Sequence, residues 1–214
     1  MEITIICSDK NHKIYPMLES WKEKNSSLNQ IKLVNYRNEI QSGDILFLIS
    51  CTEFINKEIR NKFQKTLLIH ESDLPEGRGW SPLQWIIVEG NNTVPLTLLE
   101  AVDKIDAGPI WIKRFVNLEG HELVDEITTK VFSEKLNLMD FAVKNFNSVI
   151  PYQQTEDHVT YYKKRTPNDS EINVEKSIAE QFDKLRIADE RRYPCFFKFR
   201  NHTYKITLEK ISEN

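Results

Sequence analysis

The chain opens on an almost uninterrupted apolar run, Ile3 to Cys7, and similar runs recur at Ile31 to Tyr36, Ile45 to Ser50 and Leu67 to Ile69. Short apolar runs bounded by turn residues are what strands covered on both faces require. Polar stretches with helical spacing separate them. Tyr15, Leu18, Trp21 and Lys22 mark one helix, and a shorter one is predicted from about Lys57 to Phe63. Strands alternating with helices predict an α/β fold with a mostly parallel sheet flanked by helices. Ser81 and Pro82 read as a helix start, Ser81 as N-cap and Pro82 at the first helical position, with Leu83, Trp85, Ile86 and Ile87 turned inward before a stop at Gly90. Val94 to Leu99 and Pro109 to Lys113 read as strands bracketing a loop that holds Asp106. From Glu122 to about Val149 the apolar spacing predicts a long helix over one face of the sheet, broken at most once.

Beyond Pro151 the pattern changes. Tyr161 to Ile172 is polar and turn-rich, Lys176 to Ile187 is again helical, and Tyr193 to Phe199 with Thr203 to Ile211 predict a closing hairpin turning at Arg200, Asn201 and His202. The expected division is a catalytic domain over 1–150 and a small carboxy-terminal subdomain over 151–214, a helix plus β-hairpin appendage.

Lys and Arg number 29 against 32 Asp and Glu, a net charge of -3, which lacks the basic excess of a nucleic-acid binder. Cys7, Cys51 and Cys195 are far apart, so free thiols in a reducing cytoplasm are expected rather than a disulfide framework. With a mean hydropathy of -0.50, no apolar leader and no run of membrane-spanning length, the expectation is a soluble, cytoplasmic protein with no membrane partner. His12, His121, His158 and His202 lie in polar loops without metal-ligand spacing, so they are expected to be solvated and no metal is expected.

His70 is the one histidine delivered by an apolar run, into a segment rich in Pro and Gly, as at the edge of an α/β sheet where such folds keep their chemistry. No G-x-G-x-x-G follows the first run, so the dinucleotide fingerprint is missing. A histidine that titrates near neutrality needs a carboxylate to orient it as a proton acceptor, and His70 and Asp106 are the residues expected to meet as such a pair.

His70, Ser72, Leu74, Pro75, Arg78 and Gly79, then Thr97, then Asp106 and Gly108, resemble the signature of the folate-dependent formyltransferases, H-x-S-x-L-P, R-G, G-x-T and D-x-G-x-I. The similarity covers most of 1–150 and is closest to the short sugar-nucleotide N-formyltransferases whose motif reads H-E-S-D-L-P, including those of pseudaminic acid biosynthesis. It implies a Rossmann-like formyltransferase fold, N10-formyltetrahydrofolate as donor, and an amino-deoxy-sugar on a nucleoside diphosphate, UDP being the expected one, as acceptor. It also implies His70, Asp106 and Ser72 as catalytic residues. Cys51, Thr52, Phe54, Ile55, Val102, Asp103, Lys104 and Ile105 fall where the family holds the reduced folate. Arg78, Gly79, Trp80 and Arg165 fall where acceptor contacts are expected. The family's asparagine two residues before the histidine is Leu68 here, so Ser72, Thr66, Asn11 or a backbone N–H is expected to supply the missing donor. The alternatives are a methionyl-tRNA or glycinamide ribonucleotide formyltransferase, or a non-catalytic folate-binding homologue; a homodimer paired through the hairpin edge is compatible with the pattern.

Overall fold

A computed structural model describes residues 1–211. Strand β1 (Glu2–Ile6) is buried from its second residue onward because it lies inside the sheet, between β2 (Gln30–Val34) and β3 (Gly43–Leu48). Helix α1 (Tyr15–Asn25) connects the first two strands and buries Leu18 and Trp21. A single helical turn, α2 (Lys57–Arg60), precedes β4 (Phe63–His70). The helix predicted over 57–63 is therefore shorter, because Phe63 already pairs with Gly43 in the sheet.

Six strands form the main sheet, in the order β2, β1, β3, β4, β6 (Thr93–Glu100) and β7 (Ile110–Asn117). The first four run parallel, while β6 is antiparallel to β4 and β7 antiparallel to β6. That reversal follows from the excursion between β4 and β6. It includes β5 (Arg78–Gly79) and α3 (Pro82–Val88), and it re-enters the sheet near the strand end it left, with Thr97 opposite His70. Ser81 stands at the N-cap with Pro82 at the first helical position, as expected, but its backbone is left-handed, with a φ of 53°, and its side chain makes no capping bond.

Helix α4 (Val124–Lys144) is unbroken and buries Ile127, Val131, Leu138, Met139 and Ala142 along one stripe. It shares a core with α1 and with Ile5, Phe47, Leu67 and Ile69 from one face of the sheet. The opposite face carries a smaller cluster of Ile6, Leu46, Ile55 and Phe63. Along β4, alternation sends Leu67 and Ile69 into the first core and Thr66, Leu68 and His70 to the second face.

After α4 the two-residue strand β8 (Tyr161–Tyr162) pairs with β5. The helix expected over 176–187 reduces to a 3-10 turn at Ala179–Gln181 followed by α5 (Phe182–Arg186). Strands β9 (Cys195–Phe199) and β10 (His202–Ile206) form the closing hairpin, turning through Arg200 and Asn201, both left-handed.

Candidate active site

His70 ends β4 with its side chain only 8% exposed. Its Nε2 lies 2.8 Å from the Gly77 carbonyl oxygen. A carbonyl can only accept, so Nε2 carries the proton and Nδ1 is left as the basic nitrogen. Nδ1 faces Asp106 Oδ1 at 3.7 Å. The pair expected from the sequence is thus brought together, in a dry setting where a charge on the imidazole has a carboxylate opposite it.

Asp106 is held more tightly than its loop position suggests. Its backbone is left-handed, with a φ of 53°. Its Oδ2 accepts a hydrogen bond from Gly79 N at 3.0 Å. Gln154 Nε2 donates to the carbonyls of both Asp106 and Gly108 at 2.8 Å, and Gln154 Oε1 accepts from Arg78 Nη2 at the same distance. Two glycines are needed for this packing. A Cβ at Gly108 would lie 1.8 Å from the Glu100 carbonyl, and one at Gly79, where φ is +102°, would lie 2.6 Å from the Tyr162 carbonyl.

Arg78, expected among the acceptor contacts, is fully buried and supports Gln154 from behind the Asp106 turn; its Nε and Nη1 have no partner among the described residues. Gln154 itself has no motif signature and was not legible in the sequence. Ser72 is buried at 2%, and its hydroxyl donates to the Glu76 carbonyl at 2.8 Å while its own carbonyl accepts from Thr97, so it holds the turn that presents Gly77. Leu68 packs against Leu74, Leu99 and Ile110. Of the expected substitutes for its missing amide, Ser72 is committed to Glu76, and Thr66 is four residues, about 13 Å, down the strand. Asn11 lines a separate cavity.

The two loops expected to hold a reduced folate are joined by one side chain. Arg60 Nη1 donates to the Ile55 carbonyl at 2.7 Å, and its Nη2 pairs with Asp103. That hydrogen bond and charge hold the Asp103 carboxyl below its usual range. Around this tie Phe54, Val102 and Ile105 are exposed at 58%, 38% and 63%. Thr52 N is anchored on Ser8 Oγ at 3.0 Å, and Lys104 pairs with Glu156 at 3.2 Å. Cys51 donates to the Glu53 carbonyl, and burial pushes its thiol up, as for an inert packed thiol. Apolar side chains held out to solvent on two tied loops fit a flat, largely apolar ring system.

On the other side of the β4 end lies a cavity of about 230 Å³, walled by α3, α4, the turn after β1 and the segment around Tyr193. Its basic lining residues are Lys13, Arg165, Arg191 and Arg192, and its carboxylates Glu71 and Asp189. Arg165 is only 4% exposed; its Nη2 donates to Ser170 Oγ at 3.0 Å, its Nε has no partner among the described residues, and burial lowers its pKa. Trp80 stands half-exposed outside, with Lys164 Nζ 5.1 Å above its ring.

His12, expected to be solvated, lines this cavity instead and packs on Phe132 at a ring separation of 5.6 Å. Its Nδ1 accepts from Ile14 N at 3.2 Å. Burial first, then the charges of Lys135 and Arg192, push its pKa down to about 4, so the ring is neutral at pH 7 and carries its proton on Nε2.

A family model described as formyl transferase matches residues 4–143. The chain is 31% identical over 162 residues to the methionyl-tRNA formyltransferase of Rickettsia canadensis, a match covering 75% of this chain and 53% of that protein. It therefore spans about half the length of the curated relatives it matches. Among solved structures, methionyl-tRNA formyltransferase from Clostridium thermocellum superposes with a TM-score of 0.84 at 22% identity, over 99% of this chain and 94% of that one. A sugar N-formyltransferase from a Shewanella species gives 0.74 at 13%, over 100% and 99%. HypX from Aquifex aeolicus in complex with tetrahydrofolic acid gives 0.76 at 18%, over 96% and 37%.

Proposed function

The chain belongs to the formyl transferase family, and we propose that it moves a formyl group from N10-formyltetrahydrofolate to the amino group of a nucleotide-linked amino-deoxy-sugar, UDP-linked and of the pseudaminic-acid type. The observation that carries the acceptor half of this reading is Arg165. Among the described residues this buried guanidinium has no carboxylate within ion-pairing distance, and it shares the cavity wall with Arg191 and with Lys13 and Arg192, which pair with Asp125 and Asp9; such a lining suits an anion. A diphosphate supplies two such charges, and a nucleotide sugar presents its amine beyond them.

The donor, when bound between the tied loops at 51–55 and 102–105, supplies an electrophilic formyl carbon. The chain's own residues do the rest. His70 Nδ1 takes the proton that the attacking amine releases, Asp106 faces the resulting charge, and the Gly77 carbonyl keeps the ring from turning. Gln154 keeps Asp106 in place. Exposed Phe199 and Tyr204 beside the open edge of β10 support pairing with a second copy.

The names of the curated relatives favour a second reading, methionyl-tRNA as acceptor. Incubation with N10-formyltetrahydrofolate and either a UDP-linked amino-deoxy-sugar or methionyl-tRNA separates the two. Tetrahydrofolate released only with the sugar supports the proposal. Release only with the tRNA replaces it, and donor binding without turnover on either acceptor points to a non-catalytic homologue.

A further inference from the structure

Most of the cavity's charge is positive, yet the residue that follows His70 brings a carboxylate to its wall. Glu71, the first residue past β4, lines the cavity with Ser50, Ser81 and Phe132. Lys135 of α4, only 4% exposed, pairs with Glu71 Oε1 and lies 5.6 Å from the centre of the Phe132 ring. Among the described residues Lys135 is the one side chain that donates to Glu71. Burial works to raise the Glu71 carboxyl, but the charge and hydrogen bond of Lys135, with a smaller contribution from His70, outweigh it and hold it below the usual range. The cavity's other acid, Asp189, is likewise held through one oxygen, but by its own loop: Oδ1 accepts from Arg191 N at 2.9 Å and Arg192 N at 3.1 Å.

The cavity is therefore bipolar. Arg165 and Arg191, which have no carboxylate partner among the described residues, supply its positive groups, and an ionised carboxylate next in sequence to His70 supplies a negative one. A ligand that carries both an anionic group and an N–H donor matches that lining.

We propose that the Glu71 carboxylate is the docking point for the acceptor's amino group. It accepts one N–H hydrogen bond and so leaves the nitrogen lone pair free to be aimed at the formyl carbon. Lys135 fixes the carboxylate and keeps it anionic. This rests on the nucleotide-sugar reading above, and it assigns Glu71 discrimination between an amine and a hydroxyl at the same sugar position, the distinction on which an N-formylating enzyme depends.

Calorimetric titration of the whole protein with UDP, with UDP-N-acetylglucosamine and with a UDP-linked amino-deoxy-sugar tests it. Wild type should bind the amino sugar at least tenfold more tightly than the hydroxyl sugar. Glu71→Gln should bring that ratio below threefold while leaving UDP affinity within twofold, and the KM for the amino sugar should rise about tenfold with the KM for the folate unchanged. Because Glu71→Gln orphans the Lys135 ammonium, the double variant Glu71→Gln, Lys135→Met is measured beside it and should show the same lost preference. Equal amine preference in wild type and both variants would overturn the role of Glu71 while leaving the nucleotide-sugar reading intact. No binding of any of the three nucleotides to wild type would overturn both.

Discussion

The two sides of the β4 end are built on opposite rules. On the His70 side the His70–Asp106 pair is held by protein groups, Nε2 by Gly77, the Asp106 carboxylate by Gly79 and the Asp106 carbonyl by Gln154, with the two unpartnered nitrogens of Arg78 set behind it. On the cavity side Arg165 is buried with an unpartnered Nε, and His12 keeps a neutral ring with its donor nitrogen free of protein partners among the described residues. A preorganised catalytic pair does not rearrange when charge develops, whereas a substrate pocket stores its binding energy as unmet polar demand. The contrast separates the groups that should govern turnover from those that should govern affinity.

The sharpest break comes from the closed side. His70→Ala should lower kcat by about 10² to 10⁴ with the fold intact by circular dichroism; an active variant would show that another group takes the proton. Gln154→Ala should lower kcat by about tenfold to a hundredfold with little change in either KM, because a small displacement of the Asp106 turn is enough to misplace its carboxylate. An unchanged kcat would mean that the Gly79 bond alone fixes Asp106. Arg60→Ala should raise the KM for the folate about fivefold, the Asp103 end of its tie being largely exposed and so weak. A larger effect on the KM for the acceptor would place that loop on the wrong side of the comparison.

The smallest effect is one of pH and belongs to the open side. His12 titrates near 4 in the folded chain against an ordinary 6.5, so between those values the unfolded chain binds more protons and stability falls as the pH is lowered. Carboxylates with lowered values, such as Glu122 and Asp169, both at about 2, contribute stability that is present above their ordinary values and is lost only as the pH falls further. His12→Asn should therefore flatten the urea-midpoint slope between pH 6.5 and 4.5. An unchanged slope would mean that the ring is not buried in solution.

What was legible from the sequence depended on how local the signal was. The strands from Ile3 to Leu99 announced themselves because burial on both faces leaves few polar positions, and the hairpin turn at Arg200 and Asn201 because the flanking apolar runs are short. The 57–63 helix was overcalled where tertiary pairing of Phe63 with Gly43 overrides local propensity. Ser81 and Pro82 were readable as the start of α3, whereas the left-handed backbone that leaves the Ser81 hydroxyl without a capping bond was not. In the site, the signature from His70 to Gly79 and the Asp106 turn were readable as spacings. Gln154 and Arg60 were not, since a side chain that ties two loops across 48 or 43 positions leaves no periodic trace. His12 was misread as solvated because its burial comes from Phe132, in a helix 120 positions on.

Gln154 has a consequence for how this molecule can be divided. A fragment ending at residue 150 would keep His70 and Asp106 but lose both bonds from Gln154, the Thr160 hydroxyl that receives Gly77 N, and the bridge from Tyr152 to Ile110. Such a fragment would inherit the whole signature without the means to hold it in register. Shuffling of this module between longer proteins has to carry the next dozen residues as cargo, however little their sequence advertises it.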